Sequence, residues 1–140
     1  MKNTIYPCLW FDGQAKAVAE FYCSVFKNSK IIADTPMVVT FELNGEKFMG
    51  LNGGPQFKFN EAVSFVVDCE TQEEIDYYWN KLTEGGEESM CGWLKDKFGI
   101  SWQIVPAILP KLLSDPTRAE GVIKAFLQMK KFDIEKLKQA

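Results

Sequence analysis

Residues 15–26 read Ala15-Lys16-Ala17-Val18-Ala19-Glu20-Phe21-Tyr22-Cys23-Ser24-Val25-Phe26. Counted from Val18, the apolar residues Phe21, Tyr22, Val25 and Phe26 recur at three, four, seven and eight positions, which lines them along one face of a 3.6-residue helix. The same stripe returns 57 positions later as Ile75, Tyr78, Trp79 and Leu82. There Thr71-Gln72-Glu73-Glu74 has the T-x-x-E form of a capping box, and Gly85-Gly86 ends the helix. Two amphipathic helices at a constant offset predict a duplicated unit whose apolar stripes each lie on a sheet.

Strands flank both helices. Thr4 to Phe11 is short, aromatic and closed by Asp12-Gly13, and Pro7 puts it at an edge or a bulge. After the first helix come Ile31-Ile32, Met37 to Leu43 and Glu46 to Asn52, the last two joined at Asn44-Gly45 by a tight hairpin turn. Side chains alternate along a strand, so Lys47, Met49 and Leu51 share one face and Glu46, Phe48 and Gly50 the other. Gly53-Gly54-Pro55 breaks regular structure and opens a connector through Asn60. The order then repeats with Ala62 to Cys69, the capped helix, Glu88 to Cys91, Trp93 to Lys95 and Ile100 to Val105, the last two joined by a turn at Asp96-Lys97-Phe98-Gly99. Beyond Pro106 the pattern is helical: Pro106 to Leu113, a helix capped by Asp115 with Pro116 at its first position and running to Met129, and Ile134 to Lys138 capped by Asp133.

Composition narrows the chemistry. With 46% hydrophobic residues in 140, one well-packed domain is expected. Sixteen basic against nineteen acidic residues, with no basic concentration, argue against nucleic acid as a partner. The chain has no histidine, which removes Ser-His-Asp and Cys-His nucleophiles and imidazole metal sites. Cys8, Cys23, Cys69 and Cys91 form no C-x-x-C pair and sit in apolar runs, so free, buried thiols in a reducing cytoplasm are expected. No stretch from Met1 onward has the form of a signal peptide or a membrane span.

The paired units, together with residues 7–15 (Pro7-Cys8-Leu9-Trp10-Phe11-Asp12-Gly13-Gln14-Ala15), 51–55 (Leu51-Asn52-Gly53-Gly54-Pro55), 57–61, 91–96 and 102–106 (Trp102-Gln103-Ile104-Val105-Pro106), resemble the PhnB-like branch of the glyoxalase/bleomycin-resistance superfamily, the vicinal oxygen chelate proteins. The resemblance implies an α+β fold in which two βαβββ modules form an open barrel-like cleft, followed by C-terminal helices. It divides a single domain, 1–140, into module one (1–54), a connector (55–61), module two (62–105) and a helical tail (106–140). It also implies a homodimer.

The name often attached to this branch is 3-demethylubiquinone-9 3-methyltransferase, and a methyltransferase commonly holds its cofactor at a glycine-rich strand–helix turn, which is absent here. Superfamily enzymes hold a divalent metal at positions that fall near Pro7, Met49, Ser64 and Gln103 in this chain. At the last of these, metal-binding relatives carry a glutamate. A thioether, two neutral polar groups and a proline do not assemble the shell such a metal needs, so no metal and no cofactor are expected. Only a misplaced strand would bring Glu42 or Glu61 into the set.

The resulting expectation is a cytoplasmic homodimer that binds a small, largely apolar molecule without a catalytic metal, and neither nucleic acid nor membrane. The candidate cleft residues are Leu9, Met49, Leu51, Asn52, Gln56, Phe57, Ser64, Trp93, Trp102 and Gln103. Phe57, Phe59 and Trp93 read equally as pocket wall or as packing, whereas Trp10 and Cys8 read as core. Cys91 reads first as packing and second as a ligand contact. Glu87-Glu88 and Lys95-Asp96-Lys97 read as solvated turn residues. The alternatives are a metal-dependent lyase or dioxygenase, the methyltransferase of the family name, an enzyme in which Gln103 and Ser64 polarise a carbonyl while Cys91 or Glu61 moves a proton, and a structural dimer with a filled cleft.

Overall fold

A computed structural model describes residues 3–140; the first two residues of the N-terminal stretch lie outside it. The chain forms two compact units, the first ending at Lys58 and the second beginning at Phe59.

In the first unit β1 (Cys8–Phe11), α1 (Ala15–Val25), β2 (Lys30–Asp34), β3 (Val38–Leu43) and β4 (Glu46–Asn52) follow one another. The sheet order is β1-β4-β3-β2, with β1 parallel to β4 and the other pairs antiparallel. Pro7 precedes the edge strand β1, and its carbonyl accepts the Met49 N–H at 3.0 Å. Asn44 and Gly45 both have positive φ, 51° and 83°, as a two-residue hairpin turn with the twist of its strands requires. Leu9, Phe11, Val39, Phe41 and Leu43 are buried on the face that carries α1, against Val18, Ala19 and Tyr22. Burial of each large aliphatic or aromatic side chain stabilises by about 1.5–3 kcal/mol. The start of the helix lies very close to the sheet: a Cβ on Gly50 would come within 3.0 Å of the Ala15 Cβ.

The second unit repeats this plan with β5 (Ser64–Cys69), α2 (Gln72–Thr83), β6 (Glu87–Glu88), β7 (Trp93–Lys95) and β8 (Ser101–Pro106), in the order β5-β8-β7-β6. Again the outer pair, β5 and β8, is parallel. Ile75, Trp79 and Leu82 are buried where Val18, Tyr22 and Val25 are, and Tyr78 and Phe21 are both half-buried. The duplication expected from the stripes is therefore present in sheet topology and burial alike. Thr71 and Glu74 form the capping box in both directions. The tail contributes α3 (Leu109–Leu113), α4 (Ala119–Phe126) and α5 (Ile134–Gln139). The fold is α+β, two βαβββ units with C-terminal helices.

Several element boundaries differ from the sequence expectation for local reasons. The strand expected over Glu88–Cys91 is only Glu87–Glu88, because Cys91 and Gly92 take positive φ. Their N–H groups turn to the carbonyls of Met129 and Lys130 in the tail, at 2.7 and 2.8 Å. Pro106 ends β8 beside Cys69, so the first tail helix starts only at Leu109. Asp115 does not cap a long helix. Its Oδ1 accepts from Thr117 N at 2.9 Å and Thr117 Oγ1 at 2.7 Å, forming a turn, and α4 begins at Ala119. Asp133 does cap α5, accepting from Lys136 N.

The tail is fastened to the second unit at several points. Gln72 donates to the Phe132 carbonyl at 2.9 Å and accepts from Ile134 N at 2.8 Å, and Lys131 pairs with Asp76 at 2.8 Å. Lys131 and Gln72 hold the Asp76 carboxyl below its usual range. The Phe132 ring lies where a side chain on Gly92 would be, 2.5 Å from an added Cβ.

Candidate functional site

Each sheet has one face under its helix and one face turned away from it. In the first unit the far face carries Cys8 and Trp10 from β1, Thr40 from β3, and Met49 and Leu51 from β4, as the register Cys8↔Met49↔Thr40 and Trp10↔Leu51 requires. Met49 and Leu51 are thus placed together, half-buried, as expected. Leu9 is not: it sits opposite Gly50 on the helix face and is buried there. Asn52 has a structural task. Its Oδ1 accepts the Ala15 N–H at 2.9 Å, filling an open amide at the start of α1, and its Nδ2 donates to the Pro36 carbonyl at 2.9 Å.

The connector is tied to this far face through Trp10, which is not a core residue. Its Nε1 donates to the Gly54 carbonyl at 2.8 Å, and the edge of its ring meets Phe57 with centroids 4.9 Å apart. Phe57 remains exposed, as does Gln56, and Phe59 is half-buried. Cys8, expected in the core, is exposed, whereas Cys69 is buried and all four thiols are free. Burial, reinforced by the charges of Glu74 and Asp68, pushes the Cys69 thiol up to about 12.

On the far face of the second unit Ser64, Val66 and Asp68 of β5 lie beside Ser101, Gln103 and Val105 of β8, and Trp93 and Lys95 of β7 lie beyond them. Gln103 Nε2 donates to Ser64 Oγ at 3.0 Å, and Trp93 is the direct cross-strand neighbour of Gln103. Three of the expected residues therefore come together. Trp102 does not join them, because alternation sends it to the helix face. There it is buried and its Nε1 donates to Asp96 Oδ2 at 2.9 Å. Asp96, read as a solvated turn residue, is only 3% exposed. Its Oδ1 also accepts from Phe98 N at 2.9 Å and Ile100 N at 3.1 Å.

A cavity of about 410 Å³ at the β6–β7 edge is bordered by Glu87, Trp93, Lys95 and Ser101 of the far face, by Leu94 and its cross-strand partner Glu88 of the helix face, and by Glu61 and Ser89. Lys95 Nζ and Glu61 Oε1 are 2.7 Å apart. The hydrogen bond from Lys95 holds the Glu61 carboxyl below its usual range, and Glu61 in turn raises Lys95. Of these lining residues only Trp93 was a cleft candidate. Alternation outward from Trp93 and Gln103 carries the missing signal, since it places Lys95 and Ser101 on the same face.

The metal positions implied by the resemblance can be tested on their donors. Pro7 and Met49 are hydrogen-bonded through their backbones, and Ser64 and Gln103 through their side chains. The four pair off as matched, but they offer no carboxylate, imidazole or thiolate, and this donor set does not fit a hard divalent ion. Glu42 lies near Lys30 and Glu61 is held by Lys95. Among the described residues no three His, Cys, Asp or Glu side chains converge. A methyltransferase cofactor turn fits no better. Asn52 occupies the first amide of α1, the Thr71–Glu74 box occupies the start of α2, and Gly53 and Gly54 both donate to the Phe11 carbonyl.

Comparison with known proteins fits this architecture. A family model described as 3-demethylubiquinone-9 3-methyltransferase matches residues 3–105. The PhnB protein of Bacillus cereus is 35% identical over 75% of this chain and 100% of its own, with a TM-score of 0.69. At lower identity, where the likeness concerns the fold, stand protein PA1353 of Pseudomonas aeruginosa (19%, 75% and 98% covered, TM-score 0.64) and the fosfomycin resistance protein FosX of Listeria monocytogenes complexed with Mn(II) and sulfate (15%, 81% and 97% covered, TM-score 0.59). A search among curated proteins finds no match. On its duplicated βαβββ topology, the family match over most of its length and its likeness to the Bacillus protein, the chain belongs to the PhnB-like family described as 3-demethylubiquinone-9 3-methyltransferase.

Proposed function

We propose that this protein binds a small, largely apolar molecule on the far face of its second sheet, without a catalytic metal. The observation that carries the reading is the cavity of about 410 Å³ beside Trp93, within the size range of small-molecule sites. Trp93 supplies a flat apolar wall, and the neighbouring Gln103–Ser64 pair supplies polar groups that orient a ligand without adding charge. The neutral glutamine at the position where metal-binding relatives carry a glutamate supports the metal-free part of the reading. A cytoplasmic homodimer completes the proposal. Among the described residues no helix is long and apolar enough to cross a membrane.

The test is a thermal-shift screen of aromatic and aliphatic small molecules on chelator-dialysed protein. A ligand present at about 100 times its Kd stabilises by about 2.7 kcal/mol, on the order of 10 °C in Tm for a chain of this size. Trp93→Ala is expected to abolish the shift. A one-to-one zinc, manganese, nickel or iron complex of micromolar affinity would overturn the metal-free reading, and an undiminished shift in Trp93→Ala would overturn the location.

A further inference from the structure

Another cavity, of about 530 Å³, lies among the helices of the tail. Ile108 and Leu112 supply its apolar part, and Lys111, Arg118 and Lys138 border it against the single carboxylate of Asp115. Ile108, Lys111 and Leu112 stand at i, i+3 and i+4, with the Leu112 N–H on the Ile108 carbonyl at 3.1 Å, so one face of this helical turn carries an ammonium beside two aliphatic side chains. Leu112 is buried and Ile108 half-buried. Arg118, half-buried just before α4, donates from Nη2 to the Lys138 carbonyl in the last turn of α5, a bond that holds the guanidinium in place and uses one of its donors. Among the described residues no carboxylate lies within 4.0 Å of the side-chain nitrogens of Lys111, Arg118 or Lys138. Asp115 is engaged elsewhere: its Oδ1 takes the Thr117 hydroxyl and N–H at 2.7 and 2.9 Å, and these bonds, helped by the charge of Arg118, hold its carboxyl below the usual range. Exposed lysines alone would be ordinary surface. What sets this place apart is a guanidinium fixed by its own bond at the wall of a cavity with an aliphatic floor.

We propose that the tail cavity binds a small organic anion, a carboxylate on an apolar body, with the carboxylate against Arg118, Lys111 and Lys138 and the apolar body on Ile108 and Leu112. The site shares no residue with the cavity beside Trp93 and does not depend on the function proposed for that cavity. A carboxylate only accepts, so its two oxygens match the planar guanidinium while the flexible ammonium groups add attraction without fixed geometry. An amine would meet three like charges, and an alcohol would leave the cations unmatched. Inorganic phosphate would match the cations but cover none of the aliphatic floor, so the apolar body is what separates this ligand class from simple anions. The cavity volume is in the range of small-molecule sites.

The test titrates the full chain with 3-phenylpropionate, 3-phenylpropanol and inorganic phosphate by calorimetry, and follows the Ile108 and Leu112 methyl signals and the Arg118 Nε–H by NMR. The acid is expected to bind at least about tenfold tighter than the alcohol or phosphate, to move all three sets of signals while the Trp93 indole stays in place, and to weaken as salt rises. Lys111→Gln, at an exposed side chain without an ion-pair partner, should weaken the acid about threefold with an unchanged Tm. Arg118→Lys keeps the charge but loses the fork and should weaken the acid about tenfold, with circular dichroism checking that the helices remain. Alcohol or phosphate binding as tight as that of the acid would overturn the inference. So would acid binding that leaves the Ile108, Leu112 and Arg118 signals unmoved, or no binding of the acid at about 10 mM.

Discussion

Replacing Asp96 offers the sharpest test of how the second sheet is held together. Its buried carboxylate accepts from Phe98 N, Ile100 N and Trp102 Nε1 at 2.9, 3.1 and 2.9 Å. Hydrogen bonds to a charged group contribute about 1.5–3 kcal/mol each, and a buried donor left without a partner costs about 1–3 kcal/mol. Since the three share one side chain and do not add independently, Asp96→Ala is expected to lose about 4 kcal/mol. That is a large part of the roughly 7–20 kcal/mol available to a chain this long, and corresponds to a fall in Tm on the order of 15 °C. Asp96→Asn keeps the shape but turns a donor toward one of the three donors, for a loss of about 2 kcal/mol. Urea unfolding followed by circular dichroism measures both, and an unchanged slope would place the effect in the native state. A cycle with Trp102→Phe should return a coupling above about 1 kcal/mol. An Asp96→Ala midpoint equivalent to a loss below about 0.5 kcal/mol would refute the reasoning.

Gly92→Ala forces a side chain into positive φ and to within 2.5 Å of the Phe132 ring and 2.7 Å of the Ile104 carbonyl. The expected loss is about 2–4 kcal/mol, with faster amide exchange and proteolysis from Met129 onward. For the thiols, a disulfide reagent at pH 8 should label exposed Cys8 first and buried Cys69 only on unfolding. Because folding raises Cys69 from 9.0 to about 12, its contribution to stability is fully present below pH 9 and is lost as pH rises from there toward 12. Cys69→Ala should flatten that alkaline loss, and an unchanged profile would discount the burial argument.

How far the site was legible follows the same physics as the folding. Ser64, Gln103 and Trp93 could be brought together from sequence because they fall on alternating positions of strands whose pairing the duplicated units imply. Leu9 and Trp102 went to the wrong face. In β8 Ser101 and Gln103 do mark the far face, and alternation from them sends Trp102 to the other; β1 is apolar on both sides, and with no polar residue to mark the outward positions a one-residue error in phase moves every side chain. Trp10 and Cys8 were misread for the same reason. Asp96 looked like turn chemistry because local sequence carries no sign that Trp102, six residues on, points its N–H back at the carboxylate.

The helical stripes of Val18, Tyr22 and Val25 and of Ile75, Trp79 and Leu82, the Thr71–Glu74 cap and the Asn44-Gly45 turn are local patterns, so the chain by itself determined two βαβββ units and their order. The absence of histidine likewise narrowed the chemistry before any contact was known. Only the tertiary structure decided that Asn52 closes the start of α1, that Phe132 occupies the space left by Gly92, and that Lys111, Arg118 and Lys138 border one cavity. Each of these depends on residues brought together from distant parts of the chain, where shape and hydrogen-bond supply are settled by packing rather than by neighbours in sequence.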